Sequence, residues 1–247
     1  MADERTLLSR QTRLVEFLTT PEAYEGGAAA LALYPGLEGL DAERLALLAR
    51  LTLAKRMEKI AAVLPRTLRL LDGDGSALAR AFASRHPPRS PSRLENARQF
   101  HDFLEALWRE TPPAPPWLAD LAAFEITYAA VRFADEEPPR RAEPDAPTSV
   151  RLRPSCALLR CDWDIRPLFD EAVAASEPNR RALRLAIARP DPEDGPRVFE
   201  IDAGIFAWLG HLGDWRPFAG LPPPGGPAGA AALAAELAAR GILEVTA

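Results

Sequence analysis

The sequence predicts an α+β protein in two parts: a helical bundle over residues 1–135, then a small α+β domain over residues 150–247, winged-helix-like in its element order. Three observations carry that prediction. Apolar residues recur three and four apart through the first half, the mark of helices with one buried face. Beyond Val150 the period shortens to two, the mark of half-buried strands. Between the two patterns, Ala134–Ser149 (ADEEPPRRAEPDAPTS) is charged, proline-rich and aperiodic, so residues 136–149 read as a linker. A chain of 247 residues with 47% hydrophobic and 26% charged positions is long enough for two modest domains and excludes wholesale disorder.

The elements follow in order. Leu7, Leu8, Leu14, Val15 and Leu18 predict a helix over Ala2–Thr20, broken by Pro21 and the Gly26-Gly27 pair. An irregular connector with a Tyr34-Pro35-Gly36 turn leads to Asp41, which has the short carboxylate suited to cap a helix N-terminus. In the long helix after it, Leu45, Leu48, Leu51, Met57, Ile60, Ala61 and Leu64 form one apolar stripe, expected to be core. Pro65 should end or bend that helix, since proline lacks the N–H and crowds the preceding turn. A turn at Asp72-Gly73-Asp74-Gly75 precedes a helix over Ala77–Ser84. That turn resembles the start of a calcium loop but has Ala83 where the twelfth-position glutamate should stand.

His86-Pro87-Pro88-Arg89-Ser90-Pro91 cannot be helical and is an extended link. Ser92 or Pro91 then opens a helix with Leu94, Ala97, Phe100, Phe103, Leu104 and Leu107 on one face. Trp117–Phe133 gives the last helix of the bundle. After the linker, Val150–Arg153, Leu183–Ala188 and Arg197–Asp202 alternate as strands. The last two should pair as a hairpin across the Asp191–Gly195 turn. Asp202 caps a helix over Ala203–Leu212, Gly220–Gly229 is a loop, and Ala230–Arg240 is a helix stopped by Gly241. Ile242–Val245 adds a short strand.

Composition narrows the function classes. No apolar run reaches the roughly 18 residues that cross a bilayer, and MADERTLLSR does not read as a secretion signal, so a cytoplasmic protein with no membrane partner is expected. Arginine outnumbers lysine 28 to 2, yet the net charge is −5, which argues against a protein that coats nucleic acid. Twelve basic and seven acidic residues give +5 over Arg50–Glu110, leaving −10 elsewhere, so that stretch invites an acidic surface. Nucleotide-binding glycine loops, a nucleophile elbow and a zinc-helix motif are all missing from the sequence. Cys156 and Cys161 are five apart, so a strand would put them on opposite faces. His86, His101 and His211 are scattered, and no metal or catalytic residue is assigned.

What remains is a docking edge. An edge strand over Arg197, Val198, Phe199, Glu200 and Ile201 could bind an extended peptide by strand addition. Leu233, Glu236, Leu237 and Arg240 of the last helix would line the groove beside it. Proline at Phe199 or Glu200 is then expected to weaken peptide binding by removing a backbone donor.

Several runs resemble a known family. They are Ala62-Val63-Leu64-Pro65, Leu70-Leu71-Asp72-Gly73, Leu78–Phe82, His86–Pro91 with Glu95, Trp117–Ala122 with Glu125, and Leu152–Leu159. Together they are similar to the DNA-binding-domain family of partner proteins, bufferin-type, that accompany multinuclear non-haem iron-dependent oxidative enzymes in ribosomal peptide biosynthesis. The resemblance spans Leu45–Arg166; Leu48-Ala49-Arg50 departs from the tyrosine-arginine-asparagine that the family usually shows. It implies a non-catalytic partner subunit that forms a heterodimer with the iron oxidase. The subunit would bind the leader of a ribosomally made precursor peptide and present its cysteine-containing core. Iron would then belong to the enzyme alone, with no cofactor on this chain. Arg85, Arg89, Arg93 and Arg98 are the expected contacts to the enzyme. The family's label supplies the alternative, a DNA-binding transcriptional regulator with those four arginines on phosphates.

Overall fold

A computed structural model of the chain describes residues 2–20, 23, 27–71, 75–134, 148–169, 177–220, 224, 226 and 229–246. The expected linker (136–149) lies outside them except for its last two residues, and the Asp72–Asp74 turn and most of the Gly220–Gly229 loop also lie outside. The fold is mixed α+β, with helices mostly N-terminal and strands C-terminal, and it divides into two units, Met1–Pro112 and Pro113–Ala247.

The first unit holds α1 (Ala2–Leu18), α2 (Gly27–Leu31), α3 (Ala42–Ala61), α4 (Pro65–Leu70), α5 (Gly75–Arg85) and α6 (Arg93–Glu110). Asp41 caps α3, its carboxylate accepting from the backbone N–H groups of Glu43 and Arg44, which stabilises the helix by about 1 kcal/mol. Pro65 does not merely end α3; it is the first residue of α4, where its missing N–H would have no partner anyway. Ser92 caps α6 through Glu95 N. Phe17, Leu37, Leu45 and Ala49 form one buried cluster, and Phe82, Phe100, Phe103 and His86 form an aromatic one.

The expected stripe on α3 is partly corrected. Leu48 and Leu51 are 48% and 51% exposed, while Ala46, Ala49 and Arg56 are buried. Small alanine side chains let neighbouring helices close on that face, so the bulkier leucines are left outside it. Periodicity identifies an apolar face but cannot say that alanine will take the core in preference to leucine.

The second unit begins earlier than the sequence pattern suggests. Helix α7 (Leu118–Arg132), expected to finish the N-terminal bundle, packs across two strands of the second unit, β2 (Cys156–Asp164) and β3 (Asn179–Ala188). It is buried on several sides, from Leu118 and Ala122 to Glu125, Ile126 and Val131, which suits a helix covered by a sheet. The nine-residue β2 was not expected as a strand, because CALLRCDWD lacks clean alternation.

The remaining strands are β1 (Ser149–Leu152), β4 (Arg197–Glu200), β5 (Arg216–Pro217) and β6 (Leu243–Thr246), with α8 (Ala203–Leu209) and α9 (Ala230–Ala239). Two antiparallel three-stranded sheets result, ordered β5-β1-β6 and β2-β3-β4. The expected hairpin is β3–β4, closed by Asp191, whose carbonyl accepts from Asp194 N. Asp202 caps α8 through Ile205 N. Cys156, Ala186, Ala188, Phe199 and Ile201 join α8 and α9 in one core with β1 and β6. Gly241 stops α9 with φ +71°, and a Cβ there would lie 2.6 Å from Pro190 Cα, so no other residue fits.

Candidate functional site

The groove expected beside β4 is partly assembled. Strand β4 pairs only with β3, and among the described residues no strand covers its other side. Register decides which backbone groups are open. Ile201 N donates to Arg184 O at 2.9 Å, so Ile201 opposite Arg184 is a hydrogen-bonded pair. Alternation then turns the N–H and C=O of Phe199 toward β3 and those of Val198 and Glu200 toward the open edge. Phe199 and Glu200, expected to serve alike, therefore differ: only Glu200 offers its backbone outward.

Side chains frame the same edge. Phe199 and Ile201 are half-buried on the face that meets α8 and α9, and the Arg240 guanidinium stands 5.5 Å from the Phe199 ring centre. Arg240 also pairs with Glu236 at 2.6 Å, so two of the expected groove residues form an ion pair at its rim. Leu233 is half-buried. Leu237, expected to flank the groove, is 3% exposed and belongs to the core, because it shares the inward stripe of α9 with Ala230 and Ala234. Val198 is half-buried, and Arg197 is exposed and pairs with Asp194 of the turn.

On the opposite face, Glu200 joins a four-member network. Arg166 bonds Asp164 at 2.6 Å and Glu200 at 2.8 Å, and Arg181 bonds Glu200 at 2.5 Å and Asp164 at 3.4 Å. The Arg166 guanidinium beside Asp164 holds that carboxyl below its ordinary range. This network pins the carboxylate of Glu200 while leaving its main chain facing outward.

The expected enzyme-contact arginines are all exposed: Arg85 ends α5, Arg89 lies in the link, and Arg93 and Arg98 lie on α6. None makes an ion pair among the described residues. Arg93 and Arg98 are five positions apart, about 140° around a helix, so they do not form the single phosphate-facing stripe that the DNA alternative wants.

A second concavity was not foreseen. Thr52, Lys55, Lys59 and the leucines Leu48 and Leu51 of α3 face Pro88–Pro91 across a cavity of about 560 Å³. Its frame is polar and buried. Arg56 donates to His86 O at 2.5 Å, Asn96 Oδ1 at 2.8 Å and Gln99 Oε1 at 2.8 Å, and lies 4.2 Å from the Phe82 ring centre. Asn96 Nδ2 donates onward to Ser90 O and Ser92 O, and Lys59 Nζ to Pro91 O at 3.0 Å. Three carbonyls of the extended link, those of His86, Ser90 and Pro91, are thus held by side chains of α3 and α6. Lys55 and Lys59 are the only lysines in the chain and stand four apart on one helix, a signal visible in the sequence.

Cys156 and Cys161 are both buried and neither is in a disulfide; they lie on opposite faces of β2, as their spacing implied. Burial, then the charges of Asp120, Asp162 and Asp164, push the Cys161 thiol up to about 12, which keeps it protonated and inert. Asp120 itself accepts from Asp162 N and Trp163 N, both at 2.8 Å, where the β2 register shifts, and burial raises its pKa against those bonds. His101, Asp102 and Glu105 on α6 bring their ligand atoms within 4.8 Å of one another and could hold a cation, but both acids are exposed, and such groupings are common without one. No helix among the described residues is long and apolar enough to cross a membrane.

Neither the protein-family models nor the curated proteins gave a match to this chain.

Proposed function

We propose that the chain is a non-catalytic partner subunit of a multinuclear non-haem iron-dependent oxidase. Its second unit binds the leader of a ribosomally synthesised precursor peptide by strand addition to β4, so that a cysteine-containing core reaches the enzyme. The first unit engages the enzyme, with Arg85, Arg89, Arg93 and Arg98 as contacts, and the iron resides in the enzyme. The observation that carries this reading is the open side of β4, with the main chain of Val198 and Glu200 turned outward and the Arg240 guanidinium over the Phe199 ring beside it. The resemblance of His86–Pro91 and the runs around it to the partner family supports the same reading.

The test is a fluorescence-anisotropy titration of a labelled leader peptide from a short cysteine-containing reading frame encoded beside the oxidase gene. Glu200→Ala removes the ion pairs but keeps the N–H; Glu200→Pro removes both. The expected result is near-wild-type affinity for the alanine variant and at least tenfold weaker binding for the proline variant. Equal affinity of the two, or wild-type binding no tighter than to a scrambled peptide, overturns the reading. Duplex DNA binding that falls steeply with salt in both variants would favour the regulator instead.

A further inference from the structure

The cleft between α3 and the His86–Pro91 link is the most fully built concavity that the strand-addition reading leaves unused. We infer that it is a docking site for a partner protein's acidic, extended segment carrying an aliphatic side chain. This goes beyond the adaptor reading, since it assigns a second peptide-binding site to the other unit and stands whether or not β4 binds a leader.

Three features argue for that occupant. The first is charge: Lys55, Lys59, Arg56 and Arg89 line the cleft and, among the described residues, no carboxylate does, in a chain whose net charge is −5. Among the described residues Lys55 pairs only with Glu58 on its own helix, a solvent-exposed pair that an incoming carboxylate can displace. Lysine suits this role, because its ammonium is a point charge on a flexible stem that can follow a mobile ligand.

The second feature is apolar surface. Leu48 and Leu51 are about half exposed on the wall of the cleft, Leu47 beside them is 51% exposed, and Pro88 and Pro91 face them. A nucleic-acid backbone would cover the lysines and leave these leucines wet, whereas a leucine- or isoleucine-bearing segment covers both.

The third feature is preorganisation. The link is fixed by Arg56, Asn96 and Lys59 through its carbonyls and stiffened by three prolines, so a ligand need not order the wall it binds. An extended segment matches a cleft whose one wall is itself extended.

Phage display of random twelve-residue peptides against the whole chain tests the inference, with counter-selection on Lys55→Glu. Enriched peptides are synthesised with a fluorescent label and titrated by anisotropy against the wild type, Lys55→Glu, Leu51→Ser and Glu200→Pro. Both cleft positions are exposed, and circular dichroism checks that the variants remain folded. Expected are peptides rich in aspartate or glutamate around one aliphatic residue, with affinity at least tenfold weaker for Lys55→Glu and Leu51→Ser and unchanged for Glu200→Pro. Failure of the β4 reading leaves that pattern intact, so the two proposals fall separately. No enrichment, enrichment of basic or neutral peptides, or peptides whose affinity ignores both cleft substitutions overturns the inference. So does tighter binding of a duplex oligonucleotide or of phosphatidylserine vesicles that Lys55→Glu abolishes while acidic peptides do not compete.

Discussion

The first unit shapes its cleft with side chains, whereas the second shapes its open edge with main chain. Around the cleft, one buried arginine, one asparagine and one lysine hold a proline-rich link that has no ladder or helix of its own. At the edge, β4 is positioned by its register against β3, and the side chains of Phe199 and Glu200 merely fix which face is which. A surface built from a few polar side chains fails when one is removed. A surface built from a ladder tolerates side-chain loss and fails when backbone geometry is disturbed. The contrast makes opposite predictions for the two units.

The largest effect is expected at Arg56. Truncating it to alanine strips the donors from His86 O, Asn96 Oδ1 and Gln99 Oε1 and removes the cation from the Phe82 ring. Leaving several buried acceptors short of a donor costs about 1–3 kcal/mol each, so a loss of about 3 kcal/mol or more is expected for the first unit. Urea unfolding followed by hydrogen-exchange mass spectrometry separates the units by peptide. Protection of α6 should fall while that of β3 holds; equal losses in both would break the contrast.

Gly241 is the matching test in the second unit. Alanine there would need a positive φ and would push its Cβ to 2.6 Å from Pro190 Cα. Backbone strain of this kind costs about 2 kcal/mol, and it should appear in α9 and β6 while α3 and α6 are unmoved. A neutral substitution would mean that the Pro190 turn yields, and the edge beside it would then be less rigid than its register suggests.

How much of this was legible in the sequence divides along the same line. The caps Asp41, Ser92 and Asp202, the β3–β4 hairpin and the Gly241 stop were all readable, because each rests on a local rule that needs no neighbour. The edge strand was readable for the same reason. The place of α7 was not, since an apolar helix looks the same whether helices or a sheet cover it. Nor was the cleft: Arg56 reads as a solvated charge on α3 until Asn96 and Gln99, forty and forty-three residues away, are brought to it by the fold. Leu48 and Leu51 look like core for the same reason in reverse.

The smallest effect expected is a difference in acid response. His86 and His101, both in the first unit, are held below their ordinary 6.5, chiefly by burial, with Arg56 and Arg89 adding to the effect at His86. Below 6.5 the unfolded chain takes up protons that these folded histidines refuse, so stability of the first unit falls as pH drops through that value. In the second unit Asp164 is held below its ordinary 3.8 by Arg166; its contribution is intact above that value and is lost only as pH falls further. Asp120, raised by burial, runs the other way and softens the second unit as pH rises above 3.8. Between pH 7.5 and 5.5 the urea midpoint of the first unit should therefore decline while that of the second stays level or rises slightly. His101→Gln should flatten part of that decline and His86→Gln another part, while loss of the ring contacts with Phe82 and Phe103 lowers the His86→Gln midpoint at every pH alike. Parallel slopes in the two units would show that these two histidines do not set how the first unit responds to acid.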